Sequence, residues 1–339
     1  MMLQTAPTGA PSVKILPPSF FERANKSTLL MAGVTLVLIV AFSIASPAFL
    51  SFVNVANMAT QIAPVLIIGV AMTFVITGGQ IDLSVGAIAA FVAATCAQLV
   101  QTGLNSAAVM VIGALMGLGW GLVNGLLSSY QKIPSFIVTL ATLSMIRGLA
   151  LLGTGGFSIP IPDYTIFRTV GNGEFLGITF MAWIAIVVFL IGLVMMHSMR
   201  FGQYTTGIGS SEESVRRAGV NTRAVKMWAM AFSGLAAGVA GVLIAARLGS
   251  GSANSATGLE LTVIAAVVIG GTDLFGGRGT ITGTLIGAIL TGVIANGLTL
   301  VGMSPFLTPI ITGLVLLIAI WINLRGKQLS DLVAKLLQK

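Results

Sequence analysis

Long apolar runs separated by short polar segments dominate this sequence and set what it can fold into. A run of roughly 20 apolar residues is enough to cross a bilayer as a helix. Hydrophobic residues make up 56% of the 339 and charged residues only 8%, more apolar surface than a soluble core needs. The sequence therefore predicts an all-α polytopic membrane protein with about ten transmembrane helices. The predicted spans are 28–46, 55–78, 83–103, 105–130, 135–155, 177–197, 224–247, 258–272, 280–302 and 305–324, of which 258–272 is short enough for a broken or tilted helix.

The distribution of lysine and arginine orients these spans, because inner segments of membrane proteins carry an excess of positive charge. With ten spans and an internal N-terminus, only Arg147, Arg168 and Arg247 of the 17 basic residues fall within a span or outside. Both termini are therefore predicted to be cytoplasmic. The resulting segments are a tail and surface segment (1–27), a transmembrane domain (28–325) and a cytoplasmic amphipathic segment on the membrane lipid (326–339).

Two outer segments are polar. Residues 156–176 contain prolines and charges and are long enough to form a small lid or docking surface. Residues 249–258 read GSGSANSATG, and this composition predicts a flexible loop.

The inner loop at 199–226 has the densest concentration of charge in the chain. Ser211 is predicted to begin a short polar helix, because a serine oxygen caps free N–H groups. Gly219 is predicted to end it, since a left-handed residue closes the last helical turn. Two i,i+4 ion pairs are predicted on its surface, Glu212 with Arg216 and Glu213 with Arg217. An ordinary positive cytoplasmic loop and a docking helix for a soluble partner are both consistent with this pattern.

Two similar motifs, GGQIDLSVG at 78–86 and GGTDLFGGRG at 270–279, each follow an apolar run. The twin pattern is consistent with an internal repeat, which many transporters carry. Asp82 and Asp273 are predicted to cap the helix that follows, in a structural or gating role, with substrate contact as the alternative.

Several polar side chains fall inside predicted spans, where burial is costly. Arg147 must snorkel outward or face protein or water. The others are candidates for a translocation path, and the alternative is hydrogen bonding between helices. They are Asn124, Thr139, Thr142 and Asn296.

No enzyme signature occurs in the sequence. Gly326-Lys327 is followed by Gln328 and completes no GxxxxGK[ST] pattern, so the sequence has no P-loop. The lone Cys96 and His197 predict neither a disulfide nor a metal cluster. The net charge of +8 lies in loops between spans, which indicates membrane topology and no nucleic-acid partner. We expect no cofactor on this chain and no catalytic activity, so any ATP-driven work must come from a separate subunit.

Three long stretches and the central loop together resemble the ribose-type sugar ABC-importer permease family, which is related to the branched-chain amino-acid permeases. The central-loop sequence EESVRRAGVNTRAVK is similar to the loop by which such permeases meet their ATPase. One departure is Gln80, which separates the two glycines from Ile81-Asp82. The other stretches are GGQIDLSVGAIAA at 78–90, NGLLSSYQKIPSFIVTLATLSMIRGLALLGTGG at 124–156 and ELTVIAAVVIGGTDLFGGRGTITGTLIGA at 260–288.

The resemblance implies a ten-helix permease of the larger importer class in the bacterial inner membrane. It implies a homodimer, a cytoplasmic ABC ATPase with two nucleotide sites that uses ATP and Mg, and a periplasmic substrate-binding protein. The expected function is import of a monosaccharide or similar polyol by alternating access. The expected ATPase-coupling residues are Ser211, Glu212, Glu213, Arg216, Arg217 and Gly219. The alternative is a stand-alone secondary transporter or facilitator, for which Asp82 is the only plausible ion-coupling carboxylate.

Overall fold

The computed structural model describes residues 26–163, 165–304 and scattered positions as far as 317. The predicted N-terminal tail, the C-terminal amphipathic segment and most of the span at 305–324 lie outside this range. The helices are α1 (Lys26–Ala45), α2 (Phe52–Thr77), α3 (Val85–Gln101), α4 (Ser106–Ser129), α5 (Ser135–Thr154), α6 (Ile166–Asn172), α7 (Phe180–Ser198), α8 (Arg200–Arg217), α9 (Thr222–Leu248), α10 (Leu259–Ile269) and α11 (Ile281–Leu300). The two-residue strands are β1 (Ile159–Pro160), β2 (Glu174–Phe175), β3 (Ile178–Thr179) and β4 (Ser250–Gly251).

Seven of these helices are long and apolar enough to cross a membrane by length and composition: α1, α2, α4, α5, α7, α9 and α11. The shorter apolar helices α3 and α10 complete the set within the described residues. The prediction of an all-α membrane protein is confirmed. The short run near 258–272 is confirmed as a short helix, since α10 has 11 residues, about 16 Å of rise against a hydrocarbon core of about 30 Å.

Helices α2 and α9 form the centre of the molecule, whereas α1 lies at its edge and is mostly exposed. Lipid offers helices no hydrophobic drive to associate, so close packing depends on small residues at the contact. Helix α4 carries glycine at every fourth position, and the two central glycines, Gly117 and Gly121, face glycine and alanine residues of α9. A Cβ atom on Gly117 would lie only 2.6 Å from Cα of Gly238 and would clash with the carbonyl of Gly234. The glycine face of α4 consists of Gly113, Gly117, Gly121 and Gly125.

The two segments predicted to lie outside pair with each other. Strand β1 in the first is antiparallel to β4 in the second, with Ile159 opposite Gly251. The first segment also contains α6, where Gly171 sits directly against the backbone of α9.

The prediction that 249–258 is a flexible loop is wrong, because this stretch is packed against α3. Gly251 meets the backbone of Ala93 and Ala94, and Ala253 and Ala256 are buried. Ala256 and Glu260 then reach Gly86, in the first turn of α3. The small residues that suggested flexibility instead allow close approach to α3.

Candidate coupling site

Helix α8 is two helical segments joined at Ser211, whose backbone angles (φ −162°, ψ 95°) are extended. Its Oγ accepts a hydrogen bond from the Ser214 amide at 3.3 Å, so Ser211 caps the second segment as the sequence predicted. The first segment, which begins at Arg200, was not predicted.

Gly219 ends the second segment with φ +85°, which confirms the predicted helix stop. Its amide donates to Arg216 O at 3.0 Å, and the next amide, of Val220, donates to Val215 O at 3.4 Å. This is the Schellman arrangement of a helix end, which favours glycine because no Cβ opposes the left-handed backbone.

The charged side chains of the second segment divide into two groups. Glu213 accepts from Arg217 Nε at 2.9 Å, as predicted, and also from Arg216. All three side chains are at least half exposed, so they face solvent or a partner. An exposed pair of this kind contributes at most about 1 kcal/mol on its own.

Glu212 faces the other way, and the predicted Glu212–Arg216 pair is wrong. Its Oε2 atom lies 2.8 Å from Nζ of Lys226, and its Oε1 accepts from Thr222 Oγ1 at 2.9 Å. Both partners lie in the first two turns of α9, beyond the Gly219 turn. The turn brings α9 back beside α8, so a partner 14 residues away displaces the local one.

Partial burial of the Glu212 carboxyl acts to raise its pKa. The hydrogen bond and charge of Lys226 outweigh this effect, with help from Thr222 and Arg216, so the pKa lies below its ordinary value. Glu212 is therefore ionised at neutral pH and acts as a charged tether between α8 and α9.

The twin glycine motifs end their helices in the same way and meet the first segment of α8. Gln80 N donates to Val75 O after α2, and Thr272 N donates to Val267 O after α10, in the same 6→1 pattern. The loops contact each other directly, since Gly277 N donates to Thr77 O at 2.9 Å. A Cβ on Gly209 of α8 would clash with both of these backbone groups. The first segment of α8 thus touches both glycine turns.

The predicted capping by Asp82 and Asp273 is wrong in detail. Asp273 Oδ1 accepts from Phe275 N at 3.0 Å and so shapes its own turn, while Thr280 caps α11. Asp82 is fully buried and accepts from the amide and hydroxyl of Ser84 and from Ser233 Oγ of α9 at 2.8 Å. Its carboxylate ties the 78–84 loop to α9. Ser233 was not predicted, because a single serine among the small residues of α9 does not indicate a bond to a buried carboxylate.

The four polar residues proposed for a translocation path are all buried between helices of this chain. Asn124 donates to Ser84 Oγ at 2.8 Å, and Thr139 approaches Ile81 O at 3.3 Å, so both border the 78–84 loop. Thr142 lies one turn beyond Thr139 and donates to its carbonyl. Asn296 lies elsewhere, paired with Asn54 of α2. Their role in a path stays a prediction.

Arg147 faces protein, one of the options that the sequence left open. Its Nη1 donates to the carbonyl of Ala253 and lies 3.4 Å from Thr257 Oγ1. Both partners belong to the 249–258 segment, so Arg147 of α5 fixes the part of that segment that follows β4.

A family profile described as "Branched-chain amino acid transport system / permease component" matches residues 54–320. The ribose import permease protein RbsC of Bacillus subtilis is 39% identical over 85% of this chain and 89% of its own length. The probable ABC transporter permease protein YphD of Escherichia coli is 38% identical, covering 88% and 90%. The L-arabinose ABC transporter permease protein AraH of Azospirillum brasilense is 34% identical, covering 88% of each. No solved structure matches the chain significantly.

Proposed function

This chain belongs to the family of branched-chain amino acid transport system permease components, and we propose that it is the membrane subunit of an ATP-driven importer for a monosaccharide or similar polyol. Family membership makes it a transport component and not an enzyme. The sugar assignment is supported by relatives named for ribose and for L-arabinose.

The observation that carries the coupling role is the division of charge on the second segment of α8. Glu213, Arg216 and Arg217 face outward, where a cytoplasmic ATPase with two nucleotide sites docks. Glu212 faces inward and is tethered to α9, the long central helix. A displacement of the docked segment therefore reaches α9 through Glu212 and reaches both glycine turns through Gly209.

The proposed assembly contains two copies of this chain, the ATPase, which uses ATP and Mg, and a periplasmic substrate-binding protein. Each copy has ten spans, with both termini and the 199–226 loop in the cytoplasm and 156–176 outside. ATP binding pulls on α8, and the resulting rearrangement of the bundle opens the pathway to one side at a time.

The test is the double variant Glu213→Ala/Arg217→Ala. A pair desolvated at a protein interface contributes more than an exposed one, since loss of one member strands the other. We therefore expect reduced co-purification of the ATPase and reduced ATP-driven uptake of ribose or L-arabinose, with unchanged membrane expression.

The matched control is Asp163→Ala/Arg168→Ala, which removes an exposed ion pair of 2.6 Å from the predicted outer side. It should leave co-purification unchanged. Full retention of ATPase binding and uptake by the inner double variant would show that 199–226 is an ordinary positive loop.

A further inference from the structure

A cavity of about 270 Å³ opens between α2, α9 and the segment leading into α10. This size is near the lower end of small-molecule sites, which run from about 300 to 1,000 Å³. One wall is apolar and includes Pro64 of α2. The polar groups that line it are Gln61, Arg247, Ser255, Thr257 and Thr262.

The predicted topology places this cavity at membrane depth. From Gly251 to Glu260, the segment beside it descends along α3 from Ala93 to Gly86. That is seven helical residues, or about 10 Å. Irregular backbone within the hydrocarbon region is tolerated only where it is buried in protein or lines a water-filled cavity. Part of the segment is buried against α3, and helix α10 begins at the bottom of this descent, so the cavity is a recess that extends into the transmembrane domain from the predicted outer side.

The hydrogen-bonding groups around the cavity are complementary to hydroxyl groups. Among the residues that the structure describes, neither Arg247 nor Gln61 has a side-chain hydrogen bond, which leaves guanidinium and amide donors available. The wall hydroxyls of Ser255, Thr257 and Thr262 already donate to backbone carbonyls, so their oxygens remain as acceptors. A hydroxyl of a solute both donates and accepts, and can therefore bond to both sets.

A residue that does not line the cavity holds one of its walls in place. Arg147 bonds to Ala253 and Thr257, on the α5 side of the segment, and so acts as a positioning residue for the recess. The carboxylate of Glu260, in the first turn of α10, offsets the positive end of that helix and limits the attraction for anions.

We propose that this recess is a low-affinity subsite for a neutral polyhydroxylated solute of monosaccharide size, within a single permease chain. The proposal rests on the proposed function and adds a binding location to it. A few net hydrogen bonds place the dissociation constant at about the millimolar level or weaker. Weak binding suits a subsite from which solute must depart.

The direct test is protection of a cysteine by sugar. Ser255→Cys, a nearly isosteric change, is made in a Cys96→Ser background, in the complete transporter in nanodiscs. The probes are D-ribose and L-arabinose, with lactate as an anionic comparison. Sugar at about ten times its dissociation constant should slow maleimide labelling about tenfold by mass action. Asn172→Cys, exposed on the outer segment and away from the recess, should label at an unchanged rate.

A second variant tests the donors. Arg247→Gln removes charge-assisted hydrogen bonds and should raise the sugar concentration for half-protection about tenfold or more. Arg168→Gln, which removes an exposed cation of α6, should leave it unchanged.

The outcomes separate the subsite from the proposed function. Uptake of ribose or L-arabinose without protection of Ser255→Cys would overturn the subsite and leave the importer assignment intact. Protection by lactate equal to that by the sugars would overturn the neutral-solute assignment. Protection by sugar in a transporter that supports no ATP-driven uptake of either sugar would uphold the subsite and overturn the proposed function.

Discussion

Nζ of Lys226 lies 2.8 Å from Oε2 of Glu212, which joins the second segment of α8 to the early turns of α9. The Lys226 side chain is only 21% exposed, so the pair is better shielded from water than the outward-facing pairs of Glu213. Shielding strengthens an ion pair but also raises the cost of removing one partner. This contact links a surface predicted to be cytoplasmic to a helix at the centre of the membrane domain.

The first prediction separates transmission from docking. Lys226→Met should leave ATPase co-purification nearly unchanged, because the outward-facing charges remain in place. It should lower substrate-stimulated ATP hydrolysis several-fold, since Glu212 loses its tether. The measurement compares both quantities in proteoliposomes, with Arg223→Met as the control for loss of a nearby positive charge. Loss of ATPase binding in Lys226→Met would contradict this division of roles.

The second prediction concerns pH. The pKa of Glu212 is lowered in the folded protein, so its stabilising contribution is full above its unfolded pKa of about 4.3. That contribution is lost only as the pH falls through the lower, folded value. The difference in melting temperature between wild type and Glu212→Gln should stay constant from about pH 8 to 5 and shrink below about pH 4. A difference that changed between pH 8 and 6 would point to another titrating group.

The second segment of α8 shows which features a sequence predicts and which it does not. Gly219 and Ser211 were predictable because helix ends depend on local backbone chemistry. The partner of Glu212 was not, because Arg216 and Lys226 are both basic and only the fold decides which one is near. Ser233 and Asn54 were missed for the same reason, since a lone polar residue does not reveal its partner on another helix.

The recess shows a different limit. The apolar runs placed 249–258 between two predicted spans, and in the structure it lies between α9 and α10. Charge patterns carry no information on depth, however, and glycine and serine are equally suited to a flexible loop and to close packing on α3. Arg147 was identified as a cation that needed partners, but its partners are a backbone carbonyl and a threonine hydroxyl, which no motif marks.

The third prediction tests membrane topology. Single cysteines at Ser211 and Asn172, in a Cys96→Ser background, should react with an impermeant maleimide from opposite sides. Both positions are exposed in the structure. Cys96 is fully buried, and its replacement by serine ensures that any labelling comes from the introduced cysteine. In intact spheroplasts, only Asn172→Cys should react. Labelling of Ser211→Cys before lysis would refute a cytoplasmic 199–226 loop.

The fourth prediction concerns Asn54 and Asn296, which pair reciprocally through two hydrogen bonds of 2.9 Å between α2 and α11. Hydrogen bonds between membrane helices are typically worth about 0.6–2 kcal/mol. A double-mutant cycle with Asn54→Ala and Asn296→Ala should give a coupling free energy in that range, measured by unfolding in mixed micelles. Asn57→Ala, on the same helix, serves as the control and should be additive with Asn296→Ala. A coupling free energy near zero would mean that Asn296 does not bond to Asn54 in the membrane, and would favour contact between Asn296 and the solute.

The last prediction concerns the contact between α4 and α9, where backbones meet directly. A side chain on Gly117 has no space, because Cα of Gly238 and the carbonyl of Gly234 occupy it. Gly119 lies on the same helix, two residues away, and a Cβ there meets nothing within 4 Å. Both glycines have helical backbones, so replacement by leucine gains similar helix propensity at each position. Extra methylene groups in a well-packed core typically cost about 1–3 kcal/mol. Because the whole leucine side chain lacks space, Gly117→Leu should lower the stability of the permease by more than this, by several kcal/mol.

Gly119→Leu is the matched control and should fold normally, with a melting temperature equal to or slightly above that of the wild type. The measurement is the melting temperature of the purified chain in detergent, together with the amount recovered from membranes. Since α9 begins at the Glu212 tether and borders the recess, a residual folded fraction of Gly117→Leu should also show impaired coupling to the ATPase. Equal melting temperatures for Gly117→Leu and Gly119→Leu would mean that α4 and α9 are not in backbone contact in the membrane.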